Sequence, residues 1–105
     1  MENFALLARL EAKPGKEKEL ESLLRSALAI VQDERGTTTW YAFRIGPTTF
    51  GIFDAFPDEA GRQAHLSGKV VDALNANAAL LAKPPQIEKL DILASKSTQR
   101  TTQAA

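Results

Sequence analysis

The sequence predicts an α+β sandwich, in which helices cover one face of a four-stranded antiparallel sheet. Three observations carry this prediction: an alternating apolar segment near the N-terminus, an amphipathic helical stripe directly after it, and two β-rich segments separated by a Gly-Pro turn. The chain has 105 residues, 44% of them hydrophobic, and 13 acidic residues balance 13 basic ones. This composition is typical of a single globular domain.

The first strand and the first helix are predicted from the spacing of apolar residues. Residues 4–12 alternate, which predicts a strand with one buried face. Lys13-Pro14-Gly15 interrupts this segment, and apolar residues then recur every three or four positions, which predicts an amphipathic helix from about Gly15 to Glu34. We expect Gly36 to end this helix in the left-handed conformation that glycine adopts readily.

The middle of the chain is typical of a β-hairpin. The segments Thr37–Ile45 and Thr49–Phe56 are rich in β-branched and aromatic residues, and Gly46-Pro47 between them is a turn signal. Trp40 and Tyr41 are consecutive, so we expect one to face the helices and the other to face away from them.

Two helices and a last strand are predicted to follow. Asp58 begins a short helix that runs to about Ser67, and Gly68 separates it from a helical pattern that continues to Lys83. Pro84-Pro85 ends that helix, and Ile87–Ala94 fits a strand. The resulting βαββαβ order is that of the ferredoxin-like sandwich.

One domain is therefore expected over residues 1–96, followed by a polar tail over 97–105 that is too hydrophilic to be buried. The hairpin has aromatic residues at both odd and even positions, so apolar side chains lie on both faces of the sheet. Neither face is therefore suited to exposure to water. A second sheet from a partner chain would cover the face that the helices leave open.

Composition argues against several classes of function. A net charge of zero with no basic block is unlike a nucleic-acid-binding domain. Phe50-Gly51-Ile52-Phe53 is superficially similar to an RNA-binding strand motif, but Thr48-Thr49 and Asp54 flank it where basic residues would be needed. Without cysteine there is no thiolate nucleophile and no cysteine-ligated metal. The N-terminus lacks the pattern of a signal peptide, so we expect a cytoplasmic protein without a membrane segment.

Four features of the sequence form a recognisable set: Lys13-Pro14-Gly15, Glu34-Arg35-Gly36-Thr37, the run from Asp54 to Ala60, and His65. Together they resemble the antibiotic biosynthesis monooxygenase family of dimeric α+β-barrel proteins. In the family a carboxylate, an aromatic residue, a polar residue and an alanine precede a helix histidine, and Asp54 here is shorter than the more common glutamate. The resemblance implies a homodimer with one ligand cavity per subunit between sheet and helices.

The resemblance also implies a reaction that needs neither flavin nor metal. A base removes a proton from a phenol or hydroquinone, and the electron-rich anion itself reduces dioxygen. By this resemblance His65 is the expected base and Arg44 the expected stabiliser of the anion. Trp40, Phe53 and Phe56 are the expected apolar walls, and Asn77 is a candidate polar contact at the cavity mouth.

The residues themselves leave alternatives open. Asp54 shares a strand face with apolar residues, so it needs a partner, and Arg44 and His65 are the candidates. Asp54 would then either orient His65 as a base or be a structural carboxylate. His65 is equally compatible with simple packing beneath the helix.

Three other functions compete with oxygenation. The chain fits a non-catalytic dimer that binds a small hydrophobic metabolite, and it also fits a structural protein without a cavity. Cleavage of haem is disfavoured, because the first strand has no asparagine and Phe56 stands where related haem-degrading proteins have tryptophan.

Overall fold

The computed structural model describes residues 2–96, so the predicted tail over 97–105 lies outside the described part of the chain. The elements in chain order are β1 (Phe4–Glu11), α1 (Glu17–Val31), β2 (Thr39–Arg44), β3 (Thr49–Phe56), α2 (Glu59–Leu66), α3 (Lys69–Ala76), a 3-10 turn (Ala78–Leu80) and β4 (Gln86–Asp91). No helix within residues 2–96 combines the length and the apolar character needed to cross a bilayer.

The four strands form one sheet in the order β2-β3-β1-β4, and each strand is antiparallel to its neighbours. The predicted α+β, ferredoxin-like fold is confirmed. The β2–β3 hairpin is in register with Trp40 opposite Asp54 and Arg44 opposite Phe50. Because side chains alternate along a strand, these four residues share one face of the sheet.

The main core lies between that face and the helices. It is built from alternate residues of β1 and β3 together with the apolar stripe of α1 and one residue of α3. Its buried members are Ala8, Leu10, Ala12, Leu20, Leu24, Phe50, Ile52, Leu74 and Leu81. Trp40 packs against this cluster and also against a second one formed by Ala27, Val31 and Val70. The predicted alternation of β1 and the predicted stripe of α1 are therefore the features that build the core.

The first helix is shorter than the sequence pattern predicts. It ends at Val31, its last buried residue, because the polar segment from Gln32 to Gly36 offers nothing further to bury. Gly36 does not adopt the expected left-handed conformation; within residues 2–96 only Gly15 does, with φ 87°. Glu34 consequently lies in the loop between α1 and β2.

Gly36 is instead required by a close approach to α2. A Cβ atom on Gly36 would lie 2.8 Å from the Gly61 Cα, and one on Gly61 would lie 2.7 Å from the Gly36 carbonyl oxygen. Real Cβ atoms do not approach backbone atoms this closely, so both positions suit only glycine. This contact holds the α1–β2 loop against the first turn of α2.

The helix predicted to reach Lys83 ends at Ala76. The Asn77 side chain donates a hydrogen bond to the Ala73 carbonyl at 2.8 Å, and a 3-10 turn follows. That turn brings Leu81 into a bridge with Ala12, so the chain joins the sheet before Pro84 is reached. Residues 77–83, which were predicted to be helical, therefore form a 3-10 turn and a bridge to the sheet instead.

Candidate active site

A buried network of three charged side chains connects three separate elements. His65 on α2 contacts Asp54 of β3 through Nε2, 2.8 Å from Asp54 Oδ2, and Glu34 through Nδ1, 2.6 Å from Glu34 Oε1. Asp54 is 2% exposed and His65 is 5% exposed, whereas the Glu34 side chain is 20% exposed. The histidine is therefore held between two carboxylates and shielded from water.

Local structure on α2 positions the histidine. Asp58 caps the helix by accepting a hydrogen bond from the Gly61 N–H at 2.8 Å. Gly61, Arg62 and His65 form the buried side of the helix. Arg62 donates to the carbonyl oxygens of Ala5 and Leu90, which fixes α2 across β1 and β4. The orientation of His65 thus follows from the cap and from this arginine.

Glu34 reaches the histidine because the α1–β2 loop lies against α2 at Gly36 and Gly61. Its Oε1 also accepts a hydrogen bond from the Thr37 hydroxyl at 2.8 Å, which fixes the carboxylate within the loop. Phe56 completes the surroundings, with its ring centroid 5.5 Å from that of His65.

The two carboxylates determine the protonation state of His65. A neutral imidazole has one donor nitrogen and one acceptor nitrogen, whereas two carboxylates require two donors. Burial alone would lower the pKa of His65, but the hydrogen bonds and charges of Asp54 and Glu34 outweigh it and raise that pKa above its usual value. The geometry therefore favours the imidazolium form.

A separate cavity of about 460 Å³ lies between α1 and the β2–β3 hairpin. Its walls are mainly apolar, with Trp40 and Phe50 contributing aromatic rings. The volume is within the range of sites that bind small molecules. The cavity is suited to a flat aromatic ligand.

Charged side chains lie at the edge of this cavity. The Arg44 guanidinium stacks over the Phe50 ring at 4.9 Å and is paired with Glu21 of α1. Arg25 contacts the same carboxylate at 2.9 Å. Hydrogen bonds from Arg25, which has the larger effect, and from Arg44 hold the pKa of Glu21 below its usual value. Two guanidinium groups and one carboxylate leave a positive charge of one at this edge.

The predicted site residues do not all meet in one place. Asp54, His65 and Phe56 are together in the buried network, and Trp40 and Arg44 line the aromatic cavity. Of the two candidate partners of Asp54, the structure places His65 beside it, while Arg44 pairs with Glu21.

Phe53 and Asn77 lie elsewhere. Phe53 is opposite Tyr41 in the hairpin and so belongs to the face of the sheet that the helices leave open. Trp40 is opposite Asp54, which is the next residue after Phe53 on β3. Because consecutive strand residues point to opposite faces, Phe53 and Trp40 cannot form walls of the same cavity. The Asn77 amide is engaged in ending α3 and lines a separate surface depression beside α1.

Two residues of the site were not predicted as functional. In the sequence, Glu34 is notable only as the end of the predicted first helix and as part of the family motif, and no pattern singles out Glu21. Their partners are 31 and 23 residues away along the chain, so no local pattern indicates either contact. Within residues 2–96 no group of three or more potential ligands is arranged to hold a metal ion.

Comparison with solved structures places this fold among known proteins. A protein from Caulobacter crescentus described as a "putative antibiotic biosynthesis monooxygenase" is 20% identical, with a TM-score of 0.75 over 89% of this chain and 92% of its own. One of the same description from Deinococcus radiodurans is 17% identical, with a TM-score of 0.77 over 91% and 98%. The chain thus has the fold of the antibiotic biosynthesis monooxygenases, as the sequence resemblance predicted.

A much higher identity is found with NE2512, a protein of unknown function from Nitrosomonas europaea. The two are 57% identical, and the match has a TM-score of 0.91 over 94% of this chain and 97% of NE2512. The chain belongs to the same family as NE2512. No family model matches the sequence, and no curated protein matches it.

Proposed function

We propose that the protein is a cofactor-independent monooxygenase that oxidises a small aromatic substrate of the quinol or polyketide type with dioxygen. The aromatic cavity between α1 and the hairpin is the observation that carries this proposal. It offers ring surfaces for stacking and the Arg44 guanidinium for a developing negative charge. The shared fold with the antibiotic biosynthesis monooxygenases supports the same reaction class.

In the proposed reaction the protein supplies a pocket, a proton acceptor and an anion stabiliser. Loss of a proton makes the bound phenol or hydroquinone electron-rich, and the anion then passes electrons to dioxygen. The O–O bond then breaks: one oxygen atom becomes bonded to a ring carbon that gives up its hydrogen, and the other leaves as water. The substrate supplies the four electrons and the two protons of this water and is thereby oxidised to a quinone. Both ring nitrogens of His65 already contact carboxylates, so its proposed role is to hold Asp54 in place rather than to take the proton itself.

Oxygen uptake tests this proposal directly. The purified, metal-free protein is incubated with hydroquinones, anthrones and catechols in an oxygen electrode. We expect uptake above background with at least one of them, and we expect Arg44→Ala to lower the rate about 10- to 100-fold because the anion loses its countercharge.

Arg35→Ala is the matched control, since Arg35 is an exposed arginine that does not line the cavity. Equal rates in wild type and Arg44→Ala would remove Arg44 from the mechanism. Absence of uptake with every substrate would favour a non-catalytic binder of small hydrophobic molecules.

We also propose that a second copy of the chain covers the open face of the sheet. This face carries Tyr41 and Phe53 opposite each other, with Phe43 over Gly51 and Leu90 on β4. Tyr41 is 62% exposed in the single chain, which is unusual for a large aromatic side chain in an apolar patch. Packing of two such faces would bury these residues.

Light scattering after size-exclusion chromatography tests the dimer. The expected mass is twice the chain mass of 11.4 kDa. Tyr41→Glu should yield the monomer, because it places a charge at the centre of the interface without disturbing the core. Lys69→Glu on the exposed side of α3 is the control. A wild-type protein that elutes as a monomer would contradict the proposal.

A further inference from the structure

The charges at the edge of the aromatic cavity do not cancel. Three charged side chains line the cavity: Glu21, Arg25 and Arg44. Both carboxylate oxygens of Glu21 are engaged, because Oε2 accepts hydrogen bonds from Arg25 Nε at 3.0 Å and Arg25 Nη2 at 2.9 Å, and Oε1 accepts one from Arg44 Nη2. One carboxylate thus neutralises one of two guanidinium groups. The whole chain has a formal net charge of zero, so the positive charge that remains here is a local feature.

Hydrogen-bond donors are also in excess at this edge. A guanidinium group has five N–H donors and no acceptor. Among residues 2–96, the side chains of Arg25 and Arg44 donate only to Glu21. Both arginine side chains are partly exposed, so their other N–H groups are accessible to water or to a ligand. The edge therefore offers donors and positive charge, while its one carboxylate is already engaged.

Arg44 is held at this edge by contacts with two elements. Its guanidinium stacks over the ring of Phe50, a core residue of β3, at 4.9 Å. Glu21 of α1 pairs with it from the helix side. Because the guanidinium is positioned before a ligand arrives, binding an anion there costs less conformational entropy than ordering a free side chain.

We propose that the cavity binds an aromatic ligand that carries one carboxylate group. The ring system contacts the apolar walls, which include Leu24, Leu28 and Trp40. The carboxylate accepts hydrogen bonds from the guanidinium groups of Arg25 and Arg44, and its charge makes the edge neutral. This inference rests on the proposed function, because it specifies the substrate as an aromatic compound with a carboxylate in addition to its oxidisable group.

Charge and shape together select this class of ligand. The two coplanar oxygens of a carboxylate match the planar N–H pattern of a guanidinium group. A neutral ring leaves the positive charge uncompensated, and a doubly charged phosphate monoester would make the edge negative. The cavity volume of about 460 Å³ is sufficient for a fused pair of rings.

A pair of matched ligands tests the charge requirement. 2-Naphthoate and 2-naphthamide have the same ring system, but only the first is charged at neutral pH. In isothermal titration calorimetry at low salt we expect naphthoate to bind about three- to tenfold more tightly than naphthamide. Most of this preference should be lost at about 0.5 M salt, because the charges at the edge are partly exposed and are then screened.

Two substitutions should change the affinity for naphthoate in opposite directions. Arg25→Gln removes the excess positive charge and should lower this affinity several-fold. Glu21→Gln keeps the length of the side chain, raises the charge at the edge by one, and should increase the affinity several-fold. Naphthamide should change by less than about twofold in both variants, since it carries no charge. Arg35→Gln is the matched control, because Arg35 is exposed and does not line the cavity.

Two results would overturn the proposal. One is equal affinity of the wild type for naphthoate and naphthamide, and the other is a naphthoate affinity that Glu21→Gln fails to increase. Binding needs no turnover, so this test is separate from oxygen uptake. Uptake with neutral hydroquinones but no preference for a carboxylate would overturn this inference and leave the oxygenase proposal standing. A preference for naphthoate without uptake on any substrate would support the carboxylate site and count against oxygenation.

Discussion

Replacing His65 with alanine is expected to lower the free energy of unfolding by about 3–5 kcal/mol at pH 6. The substitution removes the group that lies between Asp54 and Glu34 and leaves two carboxylates without a counterion. Asp54 is almost fully buried, so water cannot take the place of the imidazolium. Urea denaturation followed by circular dichroism measures the loss.

The pH dependence separates this charge effect from simple loss of packing. The pKa of His65 is higher in the folded state than in the unfolded chain. Such a group stabilises the fold fully below its unfolded-state pKa of about 6.5, and the contribution is lost as pH rises through the folded-state pKa.

We therefore expect the free energy of unfolding of the wild type to decrease as pH rises above about 6.5, and His65→Gln to show a weaker decrease. Glu34→Gln is the matched control, because it keeps a side chain of the same length and removes one of the two charges that raise the pKa of His65. It should give an intermediate slope. Identical slopes in wild type and His65→Gln would show that His65 is not the titrating group.

The position of Asp54 illustrates how far the sequence could predict this site. Strand alternation alone places Asp54 on the same face as Phe50, Ile52 and Phe56, and the cost of burying a carboxylate then demands a partner. The alternation of apolar residues is a local property of the sequence. It was sufficient to predict the strand that contains Asp54, the residues that share its face, and the need of this carboxylate for a partner. Alternation also places Trp40 and Arg44 on one face of β2, and the strand register shows that this is the face of Asp54.

The choice of partner depends on contacts between distant parts of the chain. The helical pattern of α1 gave no reason to end at Val31, so Glu34 was expected on a helix rather than in a loop. The loop reaches His65 only because Gly36 and Gly61 allow two backbones to touch. Glycine at a close approach and glycine at a helix end look the same in a sequence, which is why this contact was missed.

Truncation of Leu24 to alanine is expected to cost about 2–5 kcal/mol of unfolding free energy. Leu24 is 4% exposed and belongs to the main core beneath α1. Removing its buried methyl groups loses their transfer free energy and leaves a space that the rigid sheet cannot fill. Urea denaturation of the purified variant measures this effect.

Leu28→Ala is the control, because it removes the same atoms from a leucine of the same helix that is not buried. Leu28 lies one turn later on α1 and also lines the aromatic cavity, but it is 46% exposed, so its truncation should cost less than about 1 kcal/mol. Equal losses would mean that α1 packs through a different face.

Both variants enlarge the same cavity, so a change in phenol affinity shared by the two would come from cavity shape. A change confined to Leu24→Ala would come from weakened packing of the helix on the sheet.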